Sequence, residues 1–187
     1  MNRMLAAIAA VTLGIAAVGS GTAREAQRSA AGLAETLEFI RDKVAEQGQI
    51  IYSASFRDTA DGQNWTNSFS VEASNVTDDV SSCSVSFHWH TTTDGAVKYD
   101  GDTDVSFRKV ASVIVTDMEA DFVQANVKAG HPTWTSDVNP TVWVVTVRHT
   151  DGLSNVLDFR DQSMANRVAT AMRHAAKLCG KAKREPF

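Results

Sequence analysis

An α+β fold, with a helix at each end and an antiparallel sheet between them, follows from three observations. Two widely separated segments repeat apolar residues at helical intervals. The chain between them alternates apolar and polar residues in short runs divided by turn residues. The composition is that of a globular domain: 187 residues, 43% hydrophobic and 21% charged, with 18 Lys+Arg against 22 Asp+Glu and a net charge of -4. That balance excludes a disordered tail, a collagen-like rod and a polytopic membrane protein. It also lacks the basic excess of a protein that coats nucleic acid.

Residues 1–23 read as a secretory signal peptide. Arg3 supplies the positive start, Met4 to Val18 the uncharged apolar run, and Gly21-Thr22-Ala23 the small residues of a cleavage site. The run is shorter than the roughly 20 residues needed to span a bilayer. An uncleaved anchor is the alternative. No cysteine near the cleavage site offers a lipid attachment point. Cleavage would leave residues 24–187, the length of one domain and slightly more acidic for the loss of Arg3.

Residues 24–48 are expected to form an amphipathic helix. Ala26, Ala30, Leu33, Leu37, Ile40 and Val44 alternate intervals of four and three, and Gly48 is a natural stop. Most charged side chains lie off this stripe. The stripe either packs on its own domain or makes a homodimer seam through residues 26–44.

Residues 49–187 are expected to form the main domain. From Ile50 the period changes to two. Ile50 to Phe56, Asn67 to Glu72 and Ser84 to His90 read as strands, with Val85, Phe87 and Trp89 on one face of the last. Asp94-Gly95 marks a hairpin turn before Ala96 to Tyr99. Val105 to Val115 and Thr141 to Thr150 are further strand segments, and Asp151-Gly152 turns the chain into Asn155 to Phe159. The stretch from Asp117 to Pro140, with Gly130 and Pro132, reads as one or two weak strands in long loops. Six or seven strands in one strongly bent sheet or partial barrel are expected.

The final helix is capped by Asp161 and carries the stripe Ala165, Val168, Met172, Ala175 and Cys179, with Gly180 as its stop. Ala169, Ala171 and Ala176 keep it slim enough to approach a sheet. Cys83 and Cys179 are the two cysteines. In an oxidising compartment an even count points to one disulfide, which here would staple the last helix to a strand.

The closing segment is the most distinctive. It runs Val156-Leu157-Asp158-Phe159-Arg160-Asp161, then Ala165, Arg167-Val168-Ala169, Ala171, His174-Ala175 and Leu178-Cys179-Gly180, ending Pro186-Phe187. It resembles the tails of exported bacterial proteins of uncharacterised function, and the whole pattern resembles the pleckstrin-homology-like superfold. The resemblance implies a fold and no activity, because such superfolds host unrelated functions. The basic cluster that headgroup binding needs near the first hairpin is missing, since Arg57 stands there with Asp58 and Asp61.

Candidate chemistry is sparse. His88 and His90 point to one face of a strand, a spacing that suits two metal ligands, with His131, His149 or Asp94 as completions. The plainer reading is a solvated strand face. Asp100, Asp102 and Asp104 resemble the start of a calcium loop, but Val105 and Ala111 occupy the positions that require Gly and Glu. Walker, Gly-x-Ser-x-Gly and His-Glu-x-x-His motifs are absent from the sequence. Trp65, Trp134 and Tyr99 fall in expected loops, where aromatics anchor partners or cover their own core. Arg173 and Lys177, near the basic C-terminus, are further partner-binding candidates. They also complement a helix dipole.

These features favour an exported, non-enzymatic domain, periplasmic or extracellular, that binds a macromolecular partner. The expected partner is a protein. No cofactor, nucleic acid or stable membrane insertion after signal cleavage is expected. A metal-dependent hydrolase using His88 and His90 is one alternative. A structural protein that self-associates through the first helix is the other.

Overall fold

The computed structural model describes residues 20–181, with side chains described for residues 30–180. The signal-peptide assignment therefore lies outside the described residues except for its last four positions. The fold is α+β: three helices and two antiparallel sheets, with a helix at each end. Among the described residues no helix is long and apolar enough to cross a membrane.

Helix α1 (Ser20–Gln47) leads through Gly48 into β1 (Gln49–Asp58). The φ of +56° at Gly48 suits a residue without a Cβ and ends the helix where expected. β2 (Asn64–Asp79), β3 (Ser84–Thr93) and β4 (Ala96–Ser106) follow as a meander. Asp94 and Gly95 both take positive φ in the β3–β4 turn, the geometry for which Asp-Gly is selected. A 3-10 turn (Phe107–Lys109) then carries the chain to β5 (Val110–Asp117). The single segment expected from Val105 to Val115 is thus broken at Phe107 and shared between two sheets.

Of the stretch from Asp117 to Pro140, expected to hold one or two weak strands in long loops, the first part is instead helix α2 (Met118–Lys128), and one strand follows as β6 (Trp134–Asn139). The helix forms because Asp117 caps it, accepting the Ala120 N–H at 2.6 Å. Glu119 and Asp121 in its first turn and Lys128 in its last complement the dipole. β7 (Trp143–His149), β8 (Ser154–Phe159) and α3 (Gln162–Lys181) complete the chain. Asp161 accepts the Met164 N–H at 2.7 Å as the expected cap, whereas Gly180 continues the helix rather than stopping it.

Among the described residues eight strands therefore replace the expected six or seven. They form two separate sheets, ordered β4-β3-β2-β1-β6 and β5-β7-β8, and close no barrel. Two apolar cores result. In one, Leu37 and Ile40 of α1 meet Val168 and Met172 of α3, together with Phe87, Phe107 and Phe159. In the other, Ile50, Tyr52 and Phe56 of β1 meet Met118, Val142 and Val144. β7 feeds both, sending Val145 and Val147 to the first core and Val144 to the second. A strand covered on both faces reads as a continuous apolar run, and TVWVVTV is such a run.

The stripe from Leu33 to Val44 is buried in its own domain, with Leu37 and Ile40 fully enclosed. These residues are not available as the homodimer seam considered for residues 26–44 while the domain is folded, since they already pack on α3 and the strands. Ala30 alone of the described stripe is exposed.

Cys83, at the entrance to β3, and Cys179, near the end of α3, stand at disulfide distance with Cα atoms 6.1 Å apart and 96 positions of chain between them. Closing so long a loop restricts the unfolded chain by about 4–5 kcal/mol in the chain-entropy view. Replacing both cysteines by serine is therefore expected to lower Tm by roughly 10–15 °C. Calorimetry of the oxidised protein and the double variant measures this; a change below roughly 3 °C would refute the staple's role.

Candidate functional site

An extensive concave surface follows from how the end helices pair. Gln47 meets Arg160 at one end, where the Arg160 N–H donates to Gln47 Oε1 at 3.4 Å. Further along, Phe39 meets Arg167. The helices are therefore antiparallel. Their buried stripes face inward, so residues beside the stripes form the walls of an open groove of about 910 Å3. Glu35, Thr36 and Phe39 line it from α1; Asn166, Arg167 and His174 are among those lining it from α3.

Phe39 and Ala171 rest partly buried on the core. The exposed Arg167 holds its guanidinium carbon 5.4 Å from the centroid of the Phe39 ring. A guanidinium over a ring face is attracted to it electrostatically and keeps its N–H donors for other partners. Among the described residues Arg167 takes part in no ion pair. A planar guanidinium matches a carboxylate, which it can grip through two parallel hydrogen bonds.

The histidine pair lies elsewhere, on the outer face of the β3–β4 hairpin. Register places His90 opposite Asp100 and His88 opposite Asp102. His88 is held by both ring nitrogens: Nδ1 lies 3.0 Å from Asp102 and Nε2 lies 2.7 Å from Asp100. Asp100 also lies 3.4 Å from His90 Nδ1. Hydrogen bonding to Asp102 and then Asp100 raises the His88 pKa above its usual 6.5, and the bond from His88 lowers that of Asp100. When doubly protonated, the ring donates to both carboxylates. A metal would need one of those nitrogens deprotonated and turned away from its aspartate. Among the described residues no three His, Cys, Asp or Glu side chains are grouped to hold a metal ion. His131 stacks on Trp134 and His149 pairs with Asn155, so neither approaches His88 as a completing ligand. Asp94 instead accepts the Ser68 N–H at 2.7 Å.

Trp65 and Trp134 are brought together edge to face at 5.0 Å, but in strands rather than loops. Trp65 shares the inner side of β2 and stacks on Phe56. Trp134 opens β6 and donates its indole N–H to Asp58 at 2.9 Å. Tyr99 is likewise a strand residue, in β4. Arg173 and Lys177 are exposed on α3, apart from the tryptophans. Arg173 donates from both Nε and Nη2 to the Val113 carbonyl, tying α3 to the edge strand β5.

The groove itself escapes a reading based on stripes. Its legible signal is that Phe39 and Ala171 are apolar yet lie off the two stripes. Comparison with protein-family models, curated protein sequences and solved structures returns no match.

The His88 geometry has a definite pH consequence. With a raised folded-state pKa, the bridge stabilises the fold below pH 6.5 and is lost as pH rises through the higher folded value. NMR titration should place the His88 midpoint above 6.5, and Asp102→Asn should lower it. A midpoint at or below 6.5 that ignores the substitution would contradict the bridge.

Proposed function

We propose that this chain is an exported, non-enzymatic binding domain of pleckstrin-homology-like architecture, and that a protein segment bearing a carboxylate lies along the α1–α3 groove. The observation that carries this reading is Arg167, whose guanidinium lies over the Phe39 ring on the wall of an open groove and takes part in no ion pair among the described residues. The volume of about 910 Å3 falls within the range of ligand sites. Polar side chains on both walls, Asn166 and His174 opposite Glu35, can pair with the main chain of an extended segment. Export is supported by the three-part layout of residues 1–23 and by a cysteine pair at disulfide distance.

Site-specific photo-crosslinking in the native envelope or medium tests the proposal. A crosslinker at Thr170, on the groove wall, is expected to capture a protein. One at Thr66, on the outer face of the five-stranded sheet, is not. Arg167→Glu should reduce capture about tenfold or more, since a gripped carboxylate becomes a repelled one. Equal capture from both positions, or no effect of Arg167→Glu, would overturn the reading. Stoichiometric zinc in the purified native protein, lost when His88 and His90 are replaced, would instead favour the hydrolase.

A further inference from the structure

One carboxyl group is buried against expectation. Asp158 retains 6% exposure, and its Oδ1 has no hydrogen-bond partner. It lines a small, partly open cavity of about 10 Å3, room for roughly one water. Its other walls include Val44 and Gln47 from the end of α1, Gly48 just after it, Ile50 from β1, Val71 from β2 and Trp89 from β3. The two sheets and the last turn of the first helix therefore meet at this carboxyl.

We infer that Asp158 is a proton-operated latch on the C-terminal turn of α1, which seats against the sheets when the carboxyl is protonated and loosens when it ionises. A neutral carboxyl is tolerated in an apolar seam far better than a carboxylate with an unpartnered oxygen. Among the described residues no cation stands close enough to offset the charge. From α2, Asp121 presents another carboxylate; from β1, Tyr52 presents a phenol whose own ionisation is suppressed by burial. The cavity-lining residues of α1, β2 and β3 carry no titratable group. Arg160, two residues along, is committed to the Gln49 carbonyl and so holds the same junction without reaching Asp158. Burial, helped by Asp121, pushes the Asp158 pKa up to about 7.

Ionisation sends the proton to solvent and draws water into the seam beneath Val44 and Gln47. Phe39 lies on the same helix and forms a groove wall. Any effect on ligand therefore rests on the groove reading, whereas the latch itself does not.

Hydrogen–deuterium exchange of the whole protein at pH 5.5 and pH 8.5, corrected for intrinsic rates, tests the latch without any ligand. Protection over residues 40–50 should fall about tenfold or more at the higher pH, while Asp158→Asn should hold its protection across the range. A fall of the same size in Asp158→Asn, or no fall in the unaltered protein, would overturn the inference. If the variant does not fold, carboxyl carbon NMR of the unaltered protein decides: a midpoint near 7 supports the latch, and one near 4 defeats it.

Discussion

Leu37 and Ile40, fully buried among α3 and the strands, hold the first helix in the body of the domain, and the rest of the architecture depends on that seat. Burying a side chain of this size contributes on the order of 1.5–3 kcal/mol. Through this contact α1 closes one core instead of trailing from it. Because α1 and α3 are pressed together by their stripes, the residues flanking those stripes must form a groove. The same seating brings the last turn of α1 over β8, where it covers Asp158.

The cysteine pair reinforces the opposite side of this arrangement. Arg173, donating twice to the Val113 carbonyl, ties the same helix to β5. α3 is thus fixed at both a strand entrance and a sheet edge. The groove wall carrying Arg167 thus belongs to a helix tied to the domain at two points. The α1 wall has a less secure junction, because its C-terminal turn rests over an unpartnered carboxyl.

Much of this fold was legible because periodicity reports burial. The stripes of α1 and α3, the Asp94-Gly95 hairpin and the Asp161 cap all follow from local chemistry. Helix α2 was obscured because its packed residues, Met118 and Phe122, are mixed with Val123 and Val127, which are exposed. Its capping signals from Asp117 to Lys128 outweighed the nearby Gly130 and Pro132. Trp65 and Trp134 read as loop residues because their flanks are polar, yet strand alternation turns them inward. Asp158 shows the limit of alternation most clearly. Between Leu157 and Phe159 a polar residue reads as outward and solvated, but β8 has its second face covered by the other sheet and the end of α1. Periodicity locates a side chain's face; only the topology decides whether that face is wet.

Denaturant unfolding of Leu37→Ala addresses the central claim most directly, that α1 is part of the domain core. The substitution should remove about 2–5 kcal/mol in a single cooperative transition independent of protein concentration. A loss below about 0.5 kcal/mol, the scale of an exposed position, would contradict a seated helix.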